Sequence, residues 1–497
     1  MSDRTAAPGA KASAEFVKAL TLTDATMLVA GSMIGSGIFI VSADISRTLG
    51  SPGWLLLAWI LTGVITMLGA LAYGELAAMY PQAGGMYTFL RESMGPLMGF
   101  LYGWTLFVVI QTGTIAAVAV GFGKFLGVLF PSVTAERWML QSDLHFGSTT
   151  LELGLSSQRL AALVSIWVLT WINLRGVKEG KWVQTVLTFI KTASLAALVL
   201  LALTIGRNSD AIAANFGAGK LFAGSPDFGA MFVVTFGSAM VGSLFSADSW
   251  HSVTFAAAEV QNPSRNLPRA LMLGTGLVTL LYVLANVSYL LVLPIHGVAE
   301  GATVMARGID HATQDRVATA VMESMFGASG GMIMAIAILI STFGCNNGLI
   351  LSGARVYYAM ARDGLFFQRA GTLSVHGVPA YALVIQSVWT SALCLTGSYN
   401  QLLDYVIFAA LLFYALTTIG LFLLRWKRPN EHRPVKALGY PVLPALYIVS
   451  AAGVAVTLLL ADKTRVQALS GLAIVLLGVP VYLLWHRGGR AAAGAGR

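Results

Sequence analysis

The chain has 497 residues, of which 56% are hydrophobic and 11% charged, with a mean hydropathy of +0.74. Soluble globular domains carry about 25% charged residues, so this composition excludes one and points to a polytopic membrane protein. The net charge of +9 would suit a nucleic-acid partner, but its distribution excludes that: in the topology below, about 20 Lys/Arg fall in loops and tails on the N-terminal side and about nine on the other, the positive-inside pattern.

Twelve spanning segments of about 20 residues or more are expected, near 22–49, 53–80, 96–130, 157–174, 180–205, 228–260, 267–294, 330–361, 379–397, 402–425, 441–461 and 467–485. The polar start of the chain lacks a signal peptide's apolar core, so a cytoplasmic tail over 1–21 and a retained first span are expected. Thr23 or Asp24 is the expected helix cap. Cys345 and Cys394 both fall within spans, which leaves no disulfide in the loops and no cysteine-based metal cluster.

The first span carries Gly31-Ser-Met-Ile-Gly-Ser-Gly-Ile-Phe. Gly35-Ser36-Gly37 is a poor continuation for a helix, since each glycine costs about 1 kcal/mol relative to alanine. In hydrocarbon the freed N–H and C=O groups must find protein, water or ligand. Gly31 and Gly35 also form a small-xxx-small pair, which fits close helix packing equally well. Glu75, near the end of the second span, is either a proton site or, as the favoured reading, a structural partner for arginine or a helix end. The loop near 131–156 is polar and carries no chemical motif.

Lys191 lies deep in the fifth span, where insertion costs about 2.5–3.5 kcal/mol. It either binds the exposed carbonyls of a broken helix or serves as an ammonium that replaces a coupling cation or titrates during transport. The sixth span repeats the pattern of the first. Thr235 to His251 is rich in small and polar residues, which offer the backbone local alternatives to helical bonds. An unwound stretch is expected near 246–249, with Trp250 opening the second half-helix. Asp248 either neutralises Lys191 or faces a substrate. Broken segments at positions one and six, five spans apart, point to a midplane transport site between two inverted halves. Beyond them, the polar stretch 295–329 suggests a short helical cap, the eighth span carries Ser341-Thr-Phe-Gly-Cys-Asn-Asn-Gly, and spans eleven and twelve carry no chemistry.

Four stretches carry a resemblance that covers about 20–485: Gly31 to Phe39, Gln82-Ala-Gly-Gly-Met-Tyr, Glu259-Val-Gln-Asn-Pro-Ser-Arg-Asn-Leu-Pro-Arg, and Ser341 to Gly348. The sequence resembles the amino acid–polyamine–organocation superfamily, and within it bacterial members of the L-type amino acid transporter family such as serine/threonine exchangers. The resemblance implies an all-α membrane protein with a leucine-transporter-type 5+5 inverted repeat, helices 1 and 6 discontinuous. It places the repeats at 22–205 and 228–425, two further helices at 441–485 and a cytoplasmic tail at 486–497.

By the same resemblance, N–H groups around Gly35, Ser36 and Gly37 bind a substrate carboxylate, which suits a helix N-terminus. Carbonyls of Met33, Phe245 and Asp248 accept its ammonium, Ile34, Ser246 and Ala247 complete the substrate-binding breaks, and Trp250 stands beside the pocket. Lys191 takes the place of a sodium ion, with Asn347 near it. The chain departs from relatives at Ala247, at Ser249 and at His251, where many have Asn. Animal relatives bond a glycoprotein through a loop cysteine; none occurs at 131–156, so no disulfide-linked heavy chain is expected, and the chain is read as a monomer or weak homodimer.

The expected activity is sodium-independent exchange of small neutral amino acids (Ala, Ser, Thr) across the cell or inner membrane, both termini cytoplasmic, without cofactor or metal. Proton-coupled symport and exchange of cationic amino acids or polyamines are the alternatives, and a non-transporting amino acid sensor or an intramembrane enzyme the remote ones. No HExxH, GxSxG or Walker-type pattern supports an enzyme.

Overall fold

A computed structural model of the chain describes residues 18–146, 149–226, 229–396 and 399–494. The fold is a helical bundle. Eight helical stretches of the described residues are long and apolar enough to cross a membrane, and Met231–Ser246 and Ala380–Cys394 are shorter apolar helices.

The first helix, α1 (Leu22–Met33), starts from a capping box: Thr21 Oγ1 accepts the Asp24 N–H at 3.2 Å, and the Asp24 carboxylate accepts the Thr21 N–H at 2.9 Å. The cap is therefore Thr21 and not Thr23 or Asp24, because Asp24 serves as the reciprocal third residue of the box. After α1 the backbone leaves the helix at Ile34, makes a tight turn over Gly37–Phe39, and resumes as α2 (Ser42–Leu49). Gly50 closes α2 at φ +65°, a left-handed C-cap that glycine adopts without penalty. Ser51 then caps α3 (Pro52–Met79), which carries proline at its first position.

Next come α4 (Met86–Met94), α5 (Pro96–Thr105) and α6 (Gln111–Leu129), the last two joined by a widened turn over Leu106–Ile110. The stretch read as a polar loop holds an antiparallel hairpin, β1 (Trp138–Phe146) with β2 (Thr149–Ser156), tied to the end of the helix Ala380–Cys394 by the Gly154 N–H to Leu395 O bond at 3.1 Å. Then follow α7 (Ser157–Arg175), α8 (Val177–Thr204), α9 (Ser209–Phe216), α10 (Ala230–Ser246), α11 (Pro263–Val292) and α12 (Val304–Arg307). The long α13 (Val317–Arg362) is two helices joined at Gly327, φ +64°, and α14 (Ala380–Cys394), α15 (Tyr399–Lys427), α16 (Val442–Leu460) and α17 (Asp462–Gly494) complete the chain.

Helix α1 packs against α8, α11 and α13, while α3 lies along α11, and α16 and α17 pack outside α15. Leu57, Ile60, Leu61 and Val64 form an exposed apolar stripe on α3, the face an amphipathic spacing of this kind turns outward when the surroundings are lipid. Glu75 accepts from Arg425 Nε at 3.0 Å and from the Ala437 N–H at 2.7 Å, and pairs with Arg433, whose Nε lies 3.2 Å away. That is the structural partnership: the carboxylate anchors the basic segment after α15 to α3.

Candidate functional site

The two breaks lie side by side. A Cβ added to Gly37 would sit 2.1 Å from Ser246 Oγ and 3.1 Å from Ser246 Cα, so only glycine allows this approach. Gly31 is nearly as close to α8, where a Cβ would meet Gln184 Nε2 at 2.2 Å and Thr188 Oγ1 at 2.3 Å. Packing and helix interruption are thus divided among the glycines: Gly31 seats α8, and Gly37 lets the two broken helices touch.

At the second break α10 ends at Ser246, the Asp248 N–H turns back to Phe245 O at 3.1 Å, and Ser249 adopts φ +64°. The chain resumes as a tight helix over Trp250–Thr254, as the sequence predicts. The hydroxyl of Tyr282 on α11 joins the two breaks, lying 2.9 Å from Met33 O and 3.0 Å from Ser246 O. A hydroxyl has one proton to donate, so these two carbonyls share it.

The carbonyls freed at the end of α1 are held by side chains from two other helices. Lys191 Nζ, on α8, donates to Gly31 O and to Ile34 O, the latter at 2.9 Å. Ser341 Oγ donates to Ile34 O at 3.1 Å, and Cys345 Sγ to Ser32 O at 3.1 Å, both from α13. A hydrogen bond to a charged group contributes about 1.5–3 kcal/mol, so two of them offset the cost of about 2.5–3.5 kcal/mol for a lysine at this depth. Asn347 bonds Asn173 at 2.9 Å and Gln184 at 3.2 Å; the α13 residues that share the carbonyl cluster with Lys191 are Ser341 and Cys345.

The expected constellation divides into two groups. Met33, Ile34, Gly35, Ser36, Gly37, Phe245, Ser246 and Lys191 gather at the junction of the breaks. In this closed arrangement the Gly35 N–H already donates to Met33 O at 2.8 Å. Ala247, Asp248 and Trp250 instead line a cleft with Ile65, Thr66, Tyr414 and Tyr447, between α3, α10, α15 and α16. Asp248 does not neutralise Lys191. Its carboxylate accepts from Tyr414 on α15, and the Trp250 ring lies 4.7 Å from that of Tyr73 and 5.9 Å from that of Tyr414.

Sequence reasoning missed Tyr282 and Tyr414. A signal for the first existed: Thr275, Tyr282, Asn286 and Tyr289 recur at helical spacing and are all buried on α11. Three of them meet the broken pair, since Asn286 accepts Ser42 Oγ at 2.6 Å and Tyr289 donates to Ile38 O at 3.3 Å. Tyr414 stands in an apolar helix without such a companion pattern. Among the described residues no group of three His, Cys, Asp or Glu is placed to hold a metal.

Two interrupted helices in contact, with a buried ammonium on the carbonyls of one, in a bundle of membrane-length helices, define a solute carrier of the broken-helix kind. The chain belongs to the amino acid permease family, which matches residues 20–480, within the amino acid–polyamine–organocation superfamily. It is 31% identical over 471 residues, 94% of this chain and 80% of the relative, to the human Large neutral amino acids transporter small subunit 2. It is 26% identical to the mouse b(0,+)-type amino acid transporter 1, covering 86% of this chain and 80% of that one, and 27% identical to the human Asc-type amino acid transporter 1, covering 96% and 84%. The chain is thus a multi-pass membrane protein of an amino acid transport family and not an enzyme.

Proposed function

We propose that the chain exchanges small neutral L-amino acids by alternating access, without sodium. The observation that carries this reading is Lys191 Nζ on Gly31 O and Ile34 O. A fixed ammonium supplies the positive charge that the exposed carbonyls of a broken helix demand, so no mobile cation is needed there. The substrate carboxylate goes to the turn at Gly35, Ser36 and Gly37, and its ammonium to the carbonyls at Met33, Phe245 and Asp248, between repeats 22–205 and 228–425. Asp248 turned toward Tyr414 presents no carboxylate to the junction, which supports neutral over cationic substrates. The names of the relatives agree with amino acid cargo.

The chain lies in the cell membrane with both termini cytoplasmic, as the Lys/Arg bias supports. One relative is named a small subunit; here both cysteines are buried, out of reach of a partner's thiol, which supports assembly without a disulfide-linked chain. Counterflow in proteoliposomes tests the reading. Uptake of labelled alanine, serine or threonine should need internal amino acid and ignore sodium. Uptake that requires a pH gradient and no internal amino acid overturns obligatory exchange.

A further inference from the structure

The cleft behind the second break holds a chain of three titratable groups from two helical segments. Tyr414 Oη donates to Asp248 Oδ1 and lies 3.2 Å from His251 Nδ1. Asp248, Tyr414 and His251 are 4%, 6% and 3% exposed. Among the described residues the groups acting on the Asp248 carboxylate are Tyr414 and Ser249, whose Oγ lies 3.5 Å from Oδ2. The neighbouring elements contribute Tyr73 on α3, Tyr102 on α5, Cys345 on α13 and Tyr447 on α16. None of these is a cation. An ionised carboxylate buried without a countercharge costs far more than one neutralised by a proton.

We propose that Asp248, Tyr414 and His251 form a proton-binding site that holds one proton while the transporter is closed and releases it on opening. With one excess proton the two hydrogen bonds that link the three groups can be made in two ways. Either protonated Asp248 donates to Tyr414 and Tyr414 donates to neutral His251, or the imidazolium donates to Tyr414 and Tyr414 to the carboxylate. The two differ by a concerted shift of two protons, and both leave the cluster uncharged overall. Without that proton the cluster carries a buried negative charge.

Asp248 and His251 flank Ser249, the left-handed residue of the unwound turn, while Tyr414 stands on α15. Movement of the turn relative to α15 therefore separates the groups and lets water take the proton. The proton is bound from water on closing and returned on opening, so acid favours the closed state. The Lys191 ammonium on the α1 carbonyls bonds none of these three groups, although Cys345 lies near both Lys191 and Asp248, and the inference rests on the transport reading above.

Two measurements test it. Infrared difference spectra of the purified protein should show a protonated carboxyl band that is lost at alkaline pH and absent from Asp248→Asn. Exchange in proteoliposomes at equal pH on both sides should slow toward acid, by up to about tenfold per pH unit for one proton. Asp248→Asn should flatten that profile, Asp248→Glu restore it, and Tyr414→Phe displace it. A carboxyl band that persists in Asp248→Asn, or a variant profile superimposable on the parent's while exchange proceeds, overturns the proton site and leaves the exchange reading standing. Absence of amino acid flux at every pH overturns both.

Discussion

At the scale of single residues, the two breaks meet where Gly37 leaves no room for a side chain against Ser246. Gly37→Ala would place a methyl group against Ser246, and overpacking of this kind costs about 1–3 kcal/mol. The expected outcome is a destabilised carrier with exchange reduced at least severalfold. Ser246→Gly in the same chain removes the Oγ and Cβ that the methyl meets and leaves the milder 3.1 Å contact with Cα. A double-mutant cycle on thermal stability should therefore show strong positive coupling; additive losses would mean that the two breaks do not share this space.

Lys191 carries a different kind of prediction. Lys191→Ala takes the ammonium from the Gly31 and Ile34 carbonyls and leaves Ile34 O to Ser341, and transport should be abolished or become unequal in the two directions. Counterflow run with the carrier loaded from either side reads both outcomes, and unchanged kinetics would remove the role assigned to the ammonium.

At the scale of elements, α10 and α11 are connected through a short inner segment whose Glu259 is buried against Arg355 of α13. Removing one member of a buried ion pair typically costs about 3–5 kcal/mol, because the other charge is left uncompensated. Arg355→Ala should lower the unfolding temperature markedly in detergent, and Glu259→Gln with Arg355→Gln should recover part of the loss; equal stability of single and double variants would show that the pair is not the anchor. The Glu259 stretch was visible as a motif of the resemblance but its partner was not, since an ion pair across 96 positions leaves no local signal.

The breaks themselves were legible, because glycine and serine at mid-span conflict with helix propensity wherever they fold. Lys191 was legible for the same reason, as an expense that needs a partner. Asp248 was legible as a charge but not in direction: which helix a side chain faces depends on packing, and here it faces α15 rather than α8. The hairpin at 138–156 was missed although Leu151, Leu153 and Leu155 alternate, a strand period, because a polar stretch between two spans reads first as loop.

For the whole molecule, hydrogen bonds and ion pairs tie helices together at both ends of the bundle. On the N-terminal side, the Leu20 N–H donates to Glu259 O at 2.9 Å and the Gln261 N–H to Leu20 O at 2.8 Å, fastening the start of α1 to the segment after the second break. At the opposite end, Lys463 at the start of α17 donates to both Asp44 oxygens of α2 at 3.0–3.1 Å. Arg47 reaches Asp315 at 2.8 Å and Asp310 O at 2.6 Å. Beneath these ties lies a cleft lined by Val41, Asp44, Ser238, Asp315 and Lys463. The two ion pairs at this end, Lys463 with Asp44 and Arg47 with Asp315, join partly exposed charges, worth at most about 1 kcal/mol each and weakened by salt, which suits contacts that open and close in the proposed cycle. In a chain with both cysteines replaced by serine, Ser238→Cys reports on those contacts through labelling by a membrane-impermeant thiol reagent. Lys463→Ala should speed labelling by about 1.5- to 5-fold, the range expected for losing one such pair, and raised salt should narrow the difference by weakening the tie in the parent. Equal labelling rates at low salt would mean that Lys463 and Asp44 do not hold this end shut, and would shift the closing role to Arg47 and its two acceptors.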